Sequence, residues 1–244
     1  MFQLVNILIA LSLHFSYNRS LNDNLVTVGV ASIQKNVGTG ALINLTDVEM
    51  EKFILKDGFS VKTVSDFCVD TKSGSTPSRT NNEFWEGGTV SWVKSGEVHN
   101  NITFKTEECI TQEGLDGSST KLLPKDTVLM AMYGVTAGEV GYLAIEATTN
   151  QAICGMICAT KAEAAYLYFS LIQSQAAISR LSNGGAQDNL SKNFIDSIKL
   201  VVPPKQLMES LKLSAIIEQM ALNTKEISLI EELQATALAQ LSSR

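Results

Sequence analysis

The chain ends in the sequence KQLMESLKLSAIIEQMALNTKEISLIEELQATALAQL, residues 205–241, which contains neither glycine nor proline. Pro203 and Pro204 stand immediately before it, where prolines interrupt the preceding strand. At 1.5 Å per residue, one continuous helix of about 36 residues would be about 54 Å long. The sequence therefore predicts a long C-terminal helix.

A coiled-coil seam runs along this predicted helix. Positions 216, 220, 223, 227, 230, 234, 237 and 241 alternate between steps of four and three residues, as in a heptad repeat. A single apolar stripe can also pack along its own domain, but the length of the helix favours a partner helix from another chain. The predicted dimerisation residues are Ile216, Met220, Asn223, Ile227, Ile230, Gln234 and Leu241.

Upstream of the two prolines, residues 58–204 contain short apolar stretches separated by glycines. Strands are predicted at 90–93, 127–133, 140–145 and 198–202, and a helix is predicted over 161–181. The frequent glycines favour an irregular sheet or barrel over a helical bundle. The predicted fold class is α+β: an irregular β-rich domain with packed helices, followed by the long C-terminal coiled-coil helix.

Residues 1–57 form a separate N-terminal segment, to which the sequence assigns no role. Its first 17 residues are mostly apolar, but no Lys or Arg precedes the apolar run and no small-x-small cleavage site follows it. The run is also shorter than the ~20 residues of a membrane-spanning helix. We expect a buried helix or strand here and, with few cysteines and no export signal, a reducing cytoplasmic compartment.

The composition limits the chemistry that the chain can perform. The four cysteines and two histidines have no metal-ligand spacing, and no nucleotide-binding glycine loop or G-x-S-x-G motif occurs. We therefore expect no catalytic residues, no metal and no cofactor, and a protein that binds rather than catalyses. Asp70-Thr71-Lys72 fits one half of a metal-dependent nuclease site, which leaves a stand-alone Mg-dependent nuclease as an alternative.

The net charge of −6 argues against general nucleic-acid binding. However, the charges are unevenly distributed. Residues 71–82 contain Lys72 and Arg79 without an acid, and residues 117–125 contain Lys121 and Lys125 without an acid. Two positively charged, glycine-containing stretches therefore stand in an acidic domain.

A series of short motifs occurs in a fixed order along the chain. The motifs are Lys72-Ser73-Gly74-Ser75-Thr76-Pro77, Phe84-Trp85, Val90 to Glu97, Ile110-Thr111, Gly114-Leu115, Ser118 to Pro124, Met130 to Gly138, Thr149 to Ile153, Gly184 to Gln187, Leu190-Ser191 and Pro203-Pro204 before a long helix. In this order they resemble the specificity subunit of type I restriction-modification enzymes, and the resemblance extends from about Gly58 to the C-terminus. Each motif is weak alone, but their shared order is specific.

The resemblance implies a half-length specificity subunit. Such subunits usually have two target-recognition domains and two conserved helical regions, whereas this chain has one of each: the domain at 58–204 and the helix at 205–244. A second copy would supply the missing helix and form a two-fold homodimer on a two-part DNA site. The expected partners are double-stranded DNA, a methyltransferase subunit and, through it, a restriction subunit, which would hold the cofactors S-adenosylmethionine and ATP/Mg. A coiled-coil adaptor without DNA function remains a further alternative.

The resemblance also implies that loops and strands of the domain contact a DNA half-site. Phosphate contacts need basic and hydroxyl side chains, and base contacts need Arg, Asn or Gln. The predicted DNA-binding residues are Lys72, Ser75, Thr76, Arg79, Thr80, Asn81, Ser118, Ser119, Lys121, Tyr133, Asn150, Gln151, Gln187 and Asn189. Asn150, Gln151, Gln187 and Asn189 could equally satisfy backbone groups in turns. Trp85 and Trp92 are expected to be core anchors.

Overall fold

The computed structural model of the chain describes residues 2–42, 56–183 and 189–242. Its helices are α1 (Phe2–Asn36), α2 (Val64–Phe67), α3 (Gln112–Asp116), α4 (Lys161–Asn183), α5 (Lys192–Ser197), α6 (Lys205–Ser210) and α7 (Leu213–Ser242). Its strands are β1 (Ala41–Leu42), β2 (Ser60–Thr63), β3 (Asp70–Ser73), β4 (Val90–Val93), β5 (Ile102–Thr103), β6 (Glu108–Ile110), β7 (Val128–Ala131), β8 (Val140–Leu143), β9 (Thr148–Thr149), β10 (Ile153–Ile157) and β11 (Lys199–Val202). The predicted α+β class and the long C-terminal helix are confirmed.

Short strands build three small sheets. The largest has the order β3-β10-β7-β8-β5, and smaller sheets have the orders β6-β4-β9 and β1-β11-β2. Most neighbours are antiparallel, while β5 pairs with β8 and β4 with β9 in parallel. The strand predicted at 90–93 coincides with β4, and those at 127–133, 140–145 and 198–202 contain β7, β8 and β11. β1 pairs with β11, so the N-terminal segment also contributes to a sheet.

Helix α4 packs against the largest sheet, and the core lies between them. Tyr166, Tyr168 and Phe169 are all fully buried, and the rings of Tyr142 and Tyr168 meet edge to face with centroids 6.0 Å apart. The Tyr168 hydroxyl donates a 2.8 Å hydrogen bond to the Asn100 carbonyl, which satisfies it in the interior. Burial raises the pKa of Tyr168 above its usual range, so this phenol stays protonated.

Helix α1 lies antiparallel to α7 and supplies the seam partner within the chain. Asn223 of α7 donates a 2.9 Å hydrogen bond to Asn22 of α1, and Gln234 donates a 3.0 Å bond to Ser12. The two polar interruptions of the predicted seam therefore meet polar groups of α1. Buried polar pairs of this kind fix which residues of two helices lie opposite each other.

The prediction that a second copy fills the seam is therefore corrected. Met220, Asn223 and Ile230 are buried, and α1 contacts the seam that contains them. The remaining predicted dimerisation residues on this stripe are Ile216, Ile227 and Gln234, which are half-buried, and Leu241, whose side chain lies outside the described residues. The heptad spacing identified the seam but not the helix that occupies it.

Two other predictions differ from the structure. The helix expected over 205–241 is divided into α6 and α7, because Lys212 has a left-handed backbone with φ of 54°. The start of the chain is helical, but it is not buried: Ile9, Leu13 and Tyr17 are each more than half exposed. No helix among the described residues is long and apolar enough to cross a membrane.

The helix pair has two distinct flanks, because residues seven apart return to the same side of each helix. Arg19 and Val26 of α1 and Thr224 and Glu231 of α7 face the β5 region across a cleft of about 450 Å³. On the opposite side, which we call the outer flank, His14 and Glu226 lie 2.8 Å apart. One flank therefore faces the β-rich part of the chain, and the outer flank faces away from it.

The Asn22–Asn223 pair provides a test of the intramolecular seam. Replacing either residue alone with leucine should reduce the free energy of unfolding by about 1–3 kcal/mol, because the other amide loses a partner in the seam. The double variant N22L/N223L should lose much less than the sum of the two single variants. Urea unfolding measures all four proteins; additive losses would show that the two amides do not interact.

Candidate nucleic-acid interface

Three loops converge beyond the ends of β3, β9 and α3 and bring predicted DNA-binding residues together. Gly74 permits the approach: a Cβ there would lie 2.2 Å from the Thr149 carbonyl oxygen. The next amide, of Ser75, donates a 2.9 Å hydrogen bond to that same oxygen. Any side chain at position 74 would therefore separate the loop after β3 from the loop after β9.

Side-chain hydrogen bonds connect the same three loops. Ser119 donates to the Ser75 hydroxyl at 2.9 Å, and Thr76 donates to the Gln151 amide oxygen at 2.6 Å. Asn150 lies beside Gln151, and its Nδ2 is 3.5 Å from the Ser95 hydroxyl. We call the set Ser75, Thr76, Ser119, Asn150 and Gln151 the polar cluster.

Two tryptophans hold the first of these loops in place. The Trp92 indole donates to the Ser75 carbonyl at 3.1 Å, and the Trp85 indole donates to the Ser78 carbonyl at 3.0 Å. Their rings meet edge to face with centroids 5.0 Å apart. Trp92 is buried, as expected of a core anchor, while Trp85 remains half-buried beneath the loop.

Two neighbouring groups hold Arg79, which corrects the expectation that this basic side chain has no partner. Its guanidinium carbon lies 3.6 Å from the centroid of Trp85, and a terminal nitrogen donates to the Glu108 carboxylate. Lys94 lies 3.2 Å from the other Glu108 oxygen and 2.6 Å from Glu107. The stretch around Arg79 lacks an acid, but β6 places one beside it.

This ion pair shifts the protonation of its members. The hydrogen bond from Arg79 holds the pKa of Glu108 below its ordinary value, and Lys94 acts in the same direction. Hydrogen bonds to Glu107 and Glu108 raise the pKa of Lys94. Glu108 and Lys94 are therefore charged at neutral pH. The side chain of Arg79 is still about half exposed.

The remaining predicted residues divide into exposed and capping side chains. Lys121 is exposed and has no ion pair or hydrogen bond with any described residue. Asn81 caps the short 3-10 helix Asn82–Phe84, and Ser118 donates to the Gly114 carbonyl at the end of α3. Thr80 is exposed and its hydroxyl lies 2.9 Å from that of Ser78. Lys72 belongs to β3, with its ammonium 3.3 Å from Asp70.

Tyr133 and Asn189 lie on loops that adjoin the polar cluster. The Thr136 hydroxyl donates to the Ser95 carbonyl at 3.2 Å, which joins the loop after β7 to the loop that approaches Asn150. The Leu190 amide donates to the Met132 carbonyl at 2.8 Å, so Asn189 is close to the end of the β7 strand. Both Tyr133 and Asn189 are exposed. Gln187 lies outside the described residues.

Asn150 forms a hydrogen bond to the backbone of its own turn, which was the alternative to a contact with a base. Its side-chain oxygen accepts a 3.1 Å hydrogen bond from the Ala152 amide, the geometry of an Asx turn. The same side chain is only half-buried, whereas Gln151 is exposed beside it. Asn150 therefore shapes the turn, and Gln151 presents an amide at its surface.

The Asp70-Thr71-Lys72 segment lies in a network of neighbouring charges. Thr71 donates to Asp196 at 2.8 Å, and Lys192 donates to Thr71 and Asp196, both at 2.6 Å. Within the described ranges, no three His, Cys, Asp or Glu side chains are grouped so that they could hold a metal ion. Thr71 and Lys192 thus each donate to one of the two Asp196 carboxylate oxygens.

Several important residues had no local signal in the sequence. Glu108 is 29 positions from Arg79, and Lys94 and Ser95 occur in a segment that the charge pattern did not single out. The pairing of β4 with β6, which places Trp92 opposite Glu108, brings Glu108 to Arg79 and to Lys94. In the loop that contains Val135, the sequence likewise predicted only Tyr133 as a DNA-binding residue.

The fold is shared with specificity subunits of known structure. The S subunit of a type I restriction-modification system from M. genitalium superposes with a TM-score of 0.61 at 16% identity, over 96% of this chain and 56% of that one. The HsdS subunit from Thermoanaerobacter tengcongensis superposes with a TM-score of 0.55 at 11% identity, over 98% and 55%. At these identities the likeness shows the fold alone.

Sequence comparison then gives the family. Residues 56–232 match the family model for the type I restriction modification DNA specificity domain, so the chain belongs to this family. It is also 27% identical over 135 residues to the specificity subunit of the type I restriction enzyme EcoR124I/EcoR124II from Escherichia coli, covering 53% of this chain and 33% of that relative. The chain thus spans a third of this curated relative and about half of the solved subunits. The resemblance predicted from the motif order is confirmed.

Glu108→Gln tests the ion pairs beside Trp85. The substitution should lower the free energy of unfolding at neutral pH by about 1 kcal/mol or less, since the carboxylate is a third exposed and solvent screens it. Because the folded-state pKa of Glu108 is lowered, this contribution is present above the ordinary carboxyl pKa and is lost as the pH falls through the folded value.

Urea unfolding at pH 7 and at about pH 3 measures this difference. Glu107→Gln is the matched control, because Glu107 is more exposed and contacts Lys94 but not Arg79. The gap between wild type and E108Q should shrink at the lower pH. A gap that stays constant would mean that Glu108 acts through its size and not through its charge.

Proposed function

We propose that the chain is a non-catalytic subunit that recognises a short sequence in double-stranded DNA. The observation that carries the proposal is the convergence of the polar cluster, Arg79 and Lys121 on loops at one edge of the fold. Family membership agrees with it.

The chemistry of these side chains suits the two kinds of DNA contact. Amides such as that of Gln151 can form two hydrogen bonds to adenine, and a guanidinium such as that of Arg79 can do the same with guanine. Hydroxyl groups and the ammonium of Lys121 suit phosphates. Because Glu108 and Trp85 already orient Arg79, little side-chain freedom is lost when the guanidinium contacts a base.

The acidic character of the whole chain supports selective binding. The −6 charge repels DNA at a distance, so binding must depend on close contacts at a limited surface. Arg79 is paired with the Glu108 carboxylate, which weakens its attraction to phosphates in general. Discrimination between sequences then comes from hydrogen bonds to bases.

Lys121→Ala tests the phosphate role. The variant should bind all DNA sequences more weakly and reduce the slope of log K against log salt by about one, because one fewer counterion is released. Lys125→Ala is the matched control: this lysine belongs to the same acid-free stretch but lies beside α7, near Ser214 and Glu218. Fluorescence anisotropy across a salt series measures both. Equal slopes for K121A and wild type would remove Lys121 from the interface.

The proposal extends to the partners of the chain. In this proposal the chain directs a methyltransferase subunit to a two-part site, and the methyltransferase subunit brings a restriction subunit. Those partners hold S-adenosylmethionine and ATP/Mg. Family membership supports this assignment. Methylation mapping in cells with this chain and the partner methyltransferase tests it: adenine methylation should follow one two-part sequence and disappear with R79A.

We also propose a two-fold homodimer, with the outer flank rather than the seam as its interface. Ile7, Tyr17 and Val28 of α1 and Leu222, Leu229 and Leu233 of α7 lie on this flank by their heptad positions and are each 46–63% exposed. Among the described flank positions, Glu226 is the sole acid and it is paired with His14, and the sole basic side chain besides His14 is Lys35, in the last turn of α1. A flank so poor in charge is complementary to itself.

Packing two outer flanks together would form a four-helix bundle with a two-fold axis across the helices. The two β-rich domains, one from each chain, would then lie at opposite ends of the bundle, at a fixed separation. This arrangement would present two recognition domains to a two-part DNA site.

The double variant L229K/L233K tests this interface. It should be monomeric where the wild type is dimeric, because two ammonium groups would be buried in the bundle. Leu238→Lys is the matched control, since Leu238 is 55% exposed but lies on the flank that faces the β5 region. Sedimentation equilibrium gives the mass of each protein. A wild-type chain that is monomeric at all concentrations would overturn the homodimer.

A further inference from the structure

An apolar tip, formed by Tyr133 and Val135, projects beside the polar cluster, and neither side chain has a hydrogen bond or ion pair with any described residue. Val135 is completely exposed, and Tyr133 two residues earlier is 40% exposed. Gly134 between them has φ of 73°, a left-handed conformation that turns the chain back directly after β7. Two apolar side chains thus stand in water at the end of a strand whose other residues are buried.

The tip is held firmly from below. The Ala137 amide donates to the Gly134 carbonyl at 3.1 Å, and the Gly138 amide donates to the Ala131 carbonyl at 2.9 Å, which closes the turn. Thr136 is buried and its hydroxyl donates to the Ser95 carbonyl. The Met132 amide and carbonyl are bonded to Ala152 and Leu190.

This bracing makes it difficult for Val135 to retreat into the core. A Cβ at position 138 would lie 2.7 Å from the Ser179 hydroxyl, so the base of the turn already packs tightly on α4. A flexible loop could fold its apolar side chain against the surface, whereas this loop keeps it outside. Exposure of Val135 is therefore built into the turn.

The tip and the polar cluster share an edge, through Ser95. Thr136 bonds to the Ser95 carbonyl, and Asn150 lies 3.5 Å from the Ser95 hydroxyl. A DNA groove that meets Gln151 would also meet the tip. In the major groove, the sole apolar group on a base edge is the 5-methyl group of thymine, and apolar side chains discriminate by contacting it.

We propose that Val135 contacts a thymine methyl group in the major groove and so determines one base of the half-site. This inference rests on the proposed DNA recognition and adds an apolar contact to its polar ones. Tyr133 flanks the contact and shields it from water. The recognised sequence then contains at least one thymine beside the bases that Gln151 and Arg79 contact.

Uracil substitution tests the contact, because uracil differs from thymine only in lacking this methyl group. The full chain first selects its preferred duplex from a random library, and each thymine of that duplex is then replaced in turn by uracil. Uracil at one position should weaken wild-type binding about fourfold, the value for removing one buried methyl-sized group. Other uracil positions should have little effect.

Val135→Ala should lose that sensitivity: it should bind the thymine and uracil duplexes with nearly equal affinity, at an unchanged salt slope. Because Val135 is fully exposed, the variant should unfold at the same urea concentration as wild type. Val69→Ala is the matched control, since Val69 is 68% exposed at the start of β3, outside the polar cluster, and should keep the full uracil effect.

The possible failures are distinguishable. A uracil effect of equal size in wild type and V135A, or a selected sequence without a thymine-sensitive position, would overturn the methyl contact while leaving DNA recognition intact. A chain that selects no sequence at all would overturn the proposed function and this contact together.

Discussion

The pairing of the first helix with the last is the interaction on which the rest of the structure depends. Helices α1 and α7 begin about 210 residues apart, yet Asn22 and Asn223 meet in their seam at 2.9 Å. Because a buried amide must find a partner, this contact fixes the relative position of the helices as well as their proximity. The pairing thereby joins the helix that precedes the β-rich domain to the helix that follows it.

The same pair separates two roles within the chain. Its inner flank faces the β5 region across a cleft, and its outer flank carries exposed leucines with almost no charge. The DNA-contacting edge that we propose is formed instead by loops that Gly74, Trp85 and Trp92 hold in place. A rigid scaffold with braced loops places hydrogen-bonding side chains accurately without requiring a large basic surface.

Local patterns in the sequence predicted much of the fold but little of the long-range pairing. The β4 strand and helix α4 followed from residue type and periodicity, and the ordered motifs indicated the family. The seam partner was missed because α1 places Asn18 and Asn22 where apolar residues would have revealed a heptad. Likewise, Arg79 appeared unpaired because its acid lies on another strand, and the helix break at Lys212 has no glycine or proline to indicate it.

Hydrogen exchange of the full chain, with and without its selected duplex, tests the central claim most directly, because it locates the DNA on the fold. We predict slower exchange in the loops at residues 75–80, 118–121, 133–136 and 149–151, and unchanged exchange at Lys125 and in the middle of α7. Protection along α7 with none in these loops would contradict the account, because the helices rather than the polar cluster would then contact DNA.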